Sequence, residues 1–189
     1  MRVLLLALAL FNPIERLDLA AARAVQSARR PAFEAVMRGA TAIGRPAVVA
    51  GGLAGVVAVD LASGGGWGAL RLAVAALAGT NLVVEVLKRA VERPRPDGEQ
   101  RRSNSSFPSS HAANAFALAV VLGARWRRGV PVFVALALTV AFSRMYLNRH
   151  FLSDVVGGAL IGTLCSWAAA HWLPLRPRVR GAGTAGHGP

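Results

Sequence analysis

The chain has 189 residues, 54% of them hydrophobic, with 22 Lys and Arg against 9 Asp and Glu and a formal net charge of +13. A mean hydropathy of +0.44 is more than one small soluble core needs, which excludes an ordinary soluble domain and points to the membrane. So basic a chain suits anionic lipid headgroups or a phosphorylated substrate, and the lack of aromatics interleaved with the charges argues against nucleic acid as a partner.

The opening MRVLLLALALFNP has Arg2 and a short apolar run, as a signal peptide does, but Glu15, Arg16 and Asp18 arrive before any convincing cleavage site. Ile14, Leu17, Ala21, Ala24, Val25 and Ala28 recur at helical spacing with arginines between them, which predicts an amphipathic helix lying at the interface. Pro31 ends it, and Phe33, Val36, Met37 and Ala40 predict a second short helix, so residues 1–43 form an N-terminal interfacial segment.

Largely apolar stretches follow at approximately 44–62, 68–87, 108–124, 130–147 and 152–173. Each is close to the roughly 20 helical residues that a hydrocarbon core requires, and their continuous Ala, Leu and Val runs lack the alternation of barrel strands. The expected fold is all-α, a polytopic membrane bundle of about five transmembrane helices, or six, in one domain over residues 44–175. SGGGWG at 63–68 and ARWRRGVP at 124–131 read as turns, and residues 176–189, with Arg176, Arg178 and Arg180, as a disordered basic tail.

Alternating spans bring the end of the second, the start of the third, the end of the fourth and the start of the fifth to one membrane face. The unusual polar residues fall at those four places: Lys88 to Arg95, Pro108 to His111, Ser143 with Arg144, and His150 to Asp154. Each has a plain reading when taken alone. Charges at a membrane boundary snorkel, Pro-Ser-Ser caps a helix, and a His and Asp four apart make an interfacial pair, the carboxylate holding one imidazole nitrogen if the fifth helix begins near His150.

Together the clusters are far more specific, because order, spacing and face must all agree. They resemble the type 2 phosphatidic acid phosphatase family, whose motifs run Lys, six residues, Arg-Pro; then Pro-Ser-Gly-His; then Ser-Arg, five residues, His, three residues, Asp. Here these are Lys88 with Arg95 and Pro96, Pro108-Ser109-Ser110-His111, and Ser143-Arg144 with His150 and Asp154. Ser110 stands where the family has glycine, and its side chain narrows the approach of a phosphate to the backbone.

The residue types suit phosphate chemistry. Lys88, Arg95 and Arg144 are three cations from three segments, able to grip phosphate oxygens in the transition state. The N–H groups of Ser109, Ser110 and His111, at the start of the third span, add a helix N-terminus aimed at the anion. The resemblance supplies the remaining roles. It implies that His150 attacks phosphorus to form a phosphohistidine, that Asp154 orients its ring, and that His111 protonates the departing alkoxide and then activates water.

No cofactor is expected. A zinc site would need three or four suitable ligands, and neighbouring arginines would repel the cation. Cys165 reads as a packing residue, Gly158 and Gly162 as a close helix contact, Asn81 as an interhelical hydrogen bond, and Glu85 as a partner of Lys88 or of a nearby arginine. His171 and His187 receive no role.

The resemblance implies a lipid phosphate substrate in a membrane of lipids: phosphatidic acid, phosphatidylglycerol phosphate, or a polyprenyl phosphate or diphosphate, with a slight lean to the polyprenyl class. The alternative is a noncatalytic lipid-phosphate-binding or transport protein that keeps the pocket. Vanadate-dependent haloperoxidases resemble the same motif set, but they are soluble and larger. The basic turn ARWRRG and the RPRVR tail lie on the face opposite the site, which favours a site facing the periplasm or exterior. Arg16, Arg23, Arg29, Arg30, Arg38 and Arg45 count the other way.

Overall fold

The computed structural model describes residues 2–62, 64, 66–99 and 105–175, and all regular structure among them is helical. In chain order these are α1 (Arg2–Ser27), α2 (Pro31–Ile43), α3 (Pro46–Ala62), α4 (Gly68–Ala90), α5 (Ser110–Arg125), a 3-10 turn (Arg127–Gly129), α6 (Val130–Tyr146) and α7 (Leu152–Trp172). The expected tail at 176–189, with His187, lies outside the described residues.

Every apolar stretch read from the sequence is helical. Among the described residues α4, α7 and α6 with its preceding turn are long and apolar enough to cross a membrane. Pro31–Ile43 and Ala47–Ala62 would together make a fourth, broken span bent by 58°. α5 has 16 residues, short of the usual span, and is enclosed by its neighbours rather than presented to lipid.

α5 packs against α4, α6 and α7. Lipid tails are as apolar as leucine, so helices in a membrane associate through close contact of small residues rather than through a hydrophobic drive. Ala112, Ala113 and Ala117 of α5 are fully buried. On α7, a Cβ at Gly158 would overlap the Ser109 carbonyl oxygen, and one at Gly162 would overlap the carbonyl of Ala113. Asn81 of α4 donates to Asn114 of α5 at 2.9 Å, the interhelical bond expected of it. At the far end of α5, Arg125 donates to Asp60 of α3 at 2.5 Å, the carboxylate buried and the guanidinium largely so. Large apolar side chains point outward instead: Leu82 and Val86 on α4, Leu138 on α6, Leu160 and Leu164 on α7.

α1 is likewise inverted relative to a helix in water. Ile14 and Leu17 are 48% and 59% exposed, while Asp18 is 1% exposed and faces the bundle. That is the arrangement of a helix whose apolar stripe meets lipid. Gln26 ties its end to α6 by donating to the carbonyls of Met145 and Tyr146 at 3.0 and 3.3 Å.

Candidate active site

Four chain segments meet at one end of the bundle. Lys88, in the last turn of α4, is buried and donates from Nζ to the Ser105 carbonyl at 2.6 Å. The chain then runs extended from Val91, turns at Gly98 (φ +82°) and returns through Ser105 and Ser106. The Ser106 N–H donates to the Arg93 carbonyl at 2.8 Å, and the Arg93 N–H to the Ser105 hydroxyl at 3.1 Å. These bonds hold the Arg95 segment against the entrance of α5.

Ser109 is the N-cap of α5, its hydroxyl 3.5 Å from the Ala112 N–H, and Pro108 precedes the cap rather than opening the helix. The Ser109 N–H donates to the Asp154 carbonyl at 2.9 Å. It is therefore taken up by the α5–α7 contact and does not face an anion as the sequence suggested. Among the described residues, the N–H groups of Ser110 and His111 remain as the open donors of the first turn.

Arg144, in the last turn of α6, is buried, with Nη1 donating to the Thr41 hydroxyl at 2.6 Å and Nε lacking an acceptor among the described residues. Beyond α6, Asn148 takes a left-handed conformation (φ 57°) that turns the chain back and aims Arg149 and His150 into the site. Arg149 donates to Asp97 at 2.7 Å and to Glu99 at 2.8 Å.

Lys88, Arg95, Ser110, His111, Arg144 and His150 line one cavity of about 400 Å³, together with Glu85 and Arg149. Six of the eight residues expected from the sequence thus share a cavity, and Ser109 and Asp154 lie fully buried behind it. Glu85 pairs with Arg89 at 2.9 Å, the neighbouring-arginine alternative of its expected pairing. Among the described residues no three His, Cys, Asp or Glu side chains cluster as a metal site.

The His150–Asp154 relation differs from the simple helical pair. α7 begins at Leu152, so His150 lies outside the helix, and its Nδ1 is 2.8 Å from the Ser106 carbonyl and 3.8 Å from Asp154 Oδ2. A carbonyl only accepts, so this contact requires the proton on Nδ1 and leaves the lone pair on Nε2. Burial first, then the charges of Arg144 and Arg95, lower the His150 ring to about 4 against the opposing pull of Asp154, so the ring is neutral at pH 7. Asp154 instead caps the Phe151 N–H at 2.8 Å and accepts from the Ser106 hydroxyl at 2.6 Å and from Arg93 Nη1 at 2.7 Å. Ser106 therefore joins the carboxylate to the imidazole.

Sequence reasoning passed over Thr41, Arg93, Ser106 and Arg149. Arg93 sits inside KRAVERPRP, and its repeated Arg-Pro was the one available signal. An apolar groove of about 610 Å³ adjoins this corner, lined in part by Ile14, Leu19, Val91, Phe107 and Phe151.

Comparison with known proteins places the chain in a family. The PAP2 superfamily is matched over residues 69–178. Phosphatidylglycerophosphatase B of Bacillus subtilis is 30% identical over 167 residues, 81% of each chain. Lipid A 4'-phosphatase of Bacteroides thetaiotaomicron is 41% identical over 82 residues, 41% of this chain, and the match spans only 36% of that protein. Among solved structures, the transmembrane PAP2 type phosphatidylglycerolphosphate phosphatase from Bacillus subtilis superposes with a TM-score of 0.78 at 28% identity, over 94% of both chains.

Proposed function

The chain belongs to the PAP2 superfamily, and from that premise we propose that it is a multi-pass membrane phosphatase that hydrolyses a lipid phosphate through a phosphohistidine on His150. The observation that carries the reading is the Ser106 carbonyl 2.8 Å from His150 Nδ1, which leaves Nε2 with its lone pair beside Lys88, Arg95 and Arg144.

Nε2 attacks phosphorus, the bond from phosphorus to the lipid oxygen breaks, and His111, held as the imidazolium by the negative charge of the bound phosphate, gives its proton to that alkoxide. His111 then takes a proton from water, whose oxygen attacks phosphorus and breaks the P–N bond, returning His150 and releasing inorganic phosphate. Charge building on the equatorial oxygens meets the three cations and the N–H groups of Ser110 and His111. Asp154 stabilises the cationic phosphorylated ring through Ser106. The Ser110 hydroxyl, where the family pattern has glycine, stands beside the phosphate as an additional small donor.

A head group reaching the cavity from the bilayer leaves its chain in lipid, and the apolar groove between α1 and Phe107 gives that chain a surface to rest on. Phosphatidylglycerol phosphate, phosphatidic acid and polyprenyl phosphates or diphosphates all satisfy this chemistry. The site faces the periplasm or exterior, with Arg127 and Arg128 on the cytoplasmic side. Residues 1–43 form the interfacial part and 44–175 the bundle.

Phosphate release from a panel of these lipids by protein purified in detergent, with chelator present and His150→Ala alongside, tests the reading. Release is expected to survive chelation, to be blocked by vanadate and to vanish in the variant. No release from any lipid, or equal release by the variant, would leave a noncatalytic lipid-phosphate-binding protein. Labelling a single cysteine placed in the 97–105 loop of intact cells decides the side.

A further inference from the structure

We propose that Asp18, on the N-terminal helix α1, is a positioning residue for phosphoryl transfer, acting through Arg93 on Asp154 and so on His150; this rests on the nucleophilic reading of His150. Asp18 is 1% exposed although it lies on a surface helix rich in arginine. Its Oδ2 accepts from Arg93 Nη2 at 2.7 Å and from the Ser153 hydroxyl at 2.6 Å, and its Oδ1 accepts from the Ser153 N–H at 2.8 Å. Arg93 Nη1 in turn donates to Ser153 Oγ and to Asp154 Oδ1, both at 2.7 Å. The guanidinium also lies over the Phe151 ring, 4.5 Å from its centroid. One arginine is thus held in a fixed plane between two buried carboxylates, one of which reaches the imidazole through Ser106.

Two consequences follow from that arrangement. The Ser153 backbone and hydroxyl are both held by Asp18, which fixes the first turn of α7 and with it the Asp154 carboxylate. The charges also matter in sum. Asp18, Arg93 and Asp154 together place one net negative charge behind His150. Without the Asp18 charge, Arg93 opposes Asp154 alone and the group becomes neutral. When Nε2 bonds to phosphorus while Nδ1 keeps its proton, the ring becomes cationic, and a neutral group behind it stabilises that state less.

Asp18→Asn keeps the shape and an acceptor for Ser153 while removing the charge. It is expected to lower kcat on the order of tenfold, equivalent to about 1.4 kcal/mol of barrier, with KM changed by less than about twofold. Asp18→Glu, which restores the carboxylate, recovers most of that loss. Gln26→Ala loosens α1 at its other anchor, on the Met145 and Tyr146 carbonyls, and keeps kcat. An Asp18→Asn enzyme with wild-type kcat overturns the proposal, as does a Gln26→Ala enzyme that loses as much, since α1 then matters only as packing. In either case, wild-type release of phosphate that His150→Ala abolishes leaves the phosphatase reading standing. A wild-type protein inactive on every lipid phosphate overturns both.

Discussion

Replacing Gly158 by alanine asks how closely the packing of α5 on α7 sets the chemistry. The added Cβ would overlap the Ser109 carbonyl oxygen and lie 3.2 Å from the Ala113 backbone nitrogen. Neither atom can rotate aside, because both belong to the backbone at the start of α5. The helices must part by roughly 1 Å to restore ordinary contact, at a cost of about 1–3 kcal/mol for an overpacked site. The part that moves is the one that matters: Ser109 also bonds the Asp154 carbonyl at 2.9 Å, and His111 follows two residues later. A displacement near 1 Å between a proton donor and a nucleophile lowers rate on the order of 100-fold. Phosphate release at saturating lipid, with thermal unfolding measured in parallel, should therefore show kcat reduced about 100-fold in a variant that still folds. Gly79→Ala, whose Cβ meets nothing within 4 Å, should match wild type. A Gly158→Ala kcat within about threefold of wild type would refute the reasoning, because the contact would then be too soft to set catalytic geometry.

Further expectations are narrower. Arg144→Lys removes the planar fork, so the Thr41 contact and the Nε donor cannot both be kept; kcat/KM should fall by about 10- to 100-fold, and an unchanged value would mean that charge alone suffices. The His150 ring, lowered to about 4 by burial first, should be observed by ¹⁵N NMR as neutral at pH 5.5, with the signal absent in His150→Ala. Because that folded-state value lies below the unfolded value of about 6.5, the stability it contributes is complete above pH 6.5 and is lost progressively as pH falls toward 4. Asn148→Gly should fold as well as wild type, whereas Asn148→Val, branched at Cβ with φ 57°, should lose about 1–2 kcal/mol in thermal unfolding.

The line from Lys88 to His150 was readable because helix alternation carries distant residues to one membrane face without any knowledge of side-chain contacts. Ser109 and Asp154 come to the same end of the bundle for the same reason, although what their backbone and carboxylate bond depends on where α5 and α7 start. Boundaries of one or two residues decide this: with α7 starting at Leu152, His150 turns to Ser106 instead of bonding Asp154 directly. Asp18, Thr41 and Ser106 could not be read, since their partners lie 75, 103 and 48 residues away and such bonds leave no local period. The length of the spans was only partly readable. Apolarity marks 44–62 and 108–124 much as it marks the others, but it carries no sign of the bend after Ile43 or of the 16-residue length of α5.

Arg144 extends this picture from chemistry to turnover. The buried Nε of Arg144, without an acceptor among the described residues, costs the fold on the order of 1–3 kcal/mol, which an anion in the cavity would relieve. That relief does not distinguish the lipid ester from the orthophosphate it leaves behind. On the proposed reading, the group that draws substrate in is expected to detain the product as well, so added orthophosphate should slow lipid-phosphate hydrolysis.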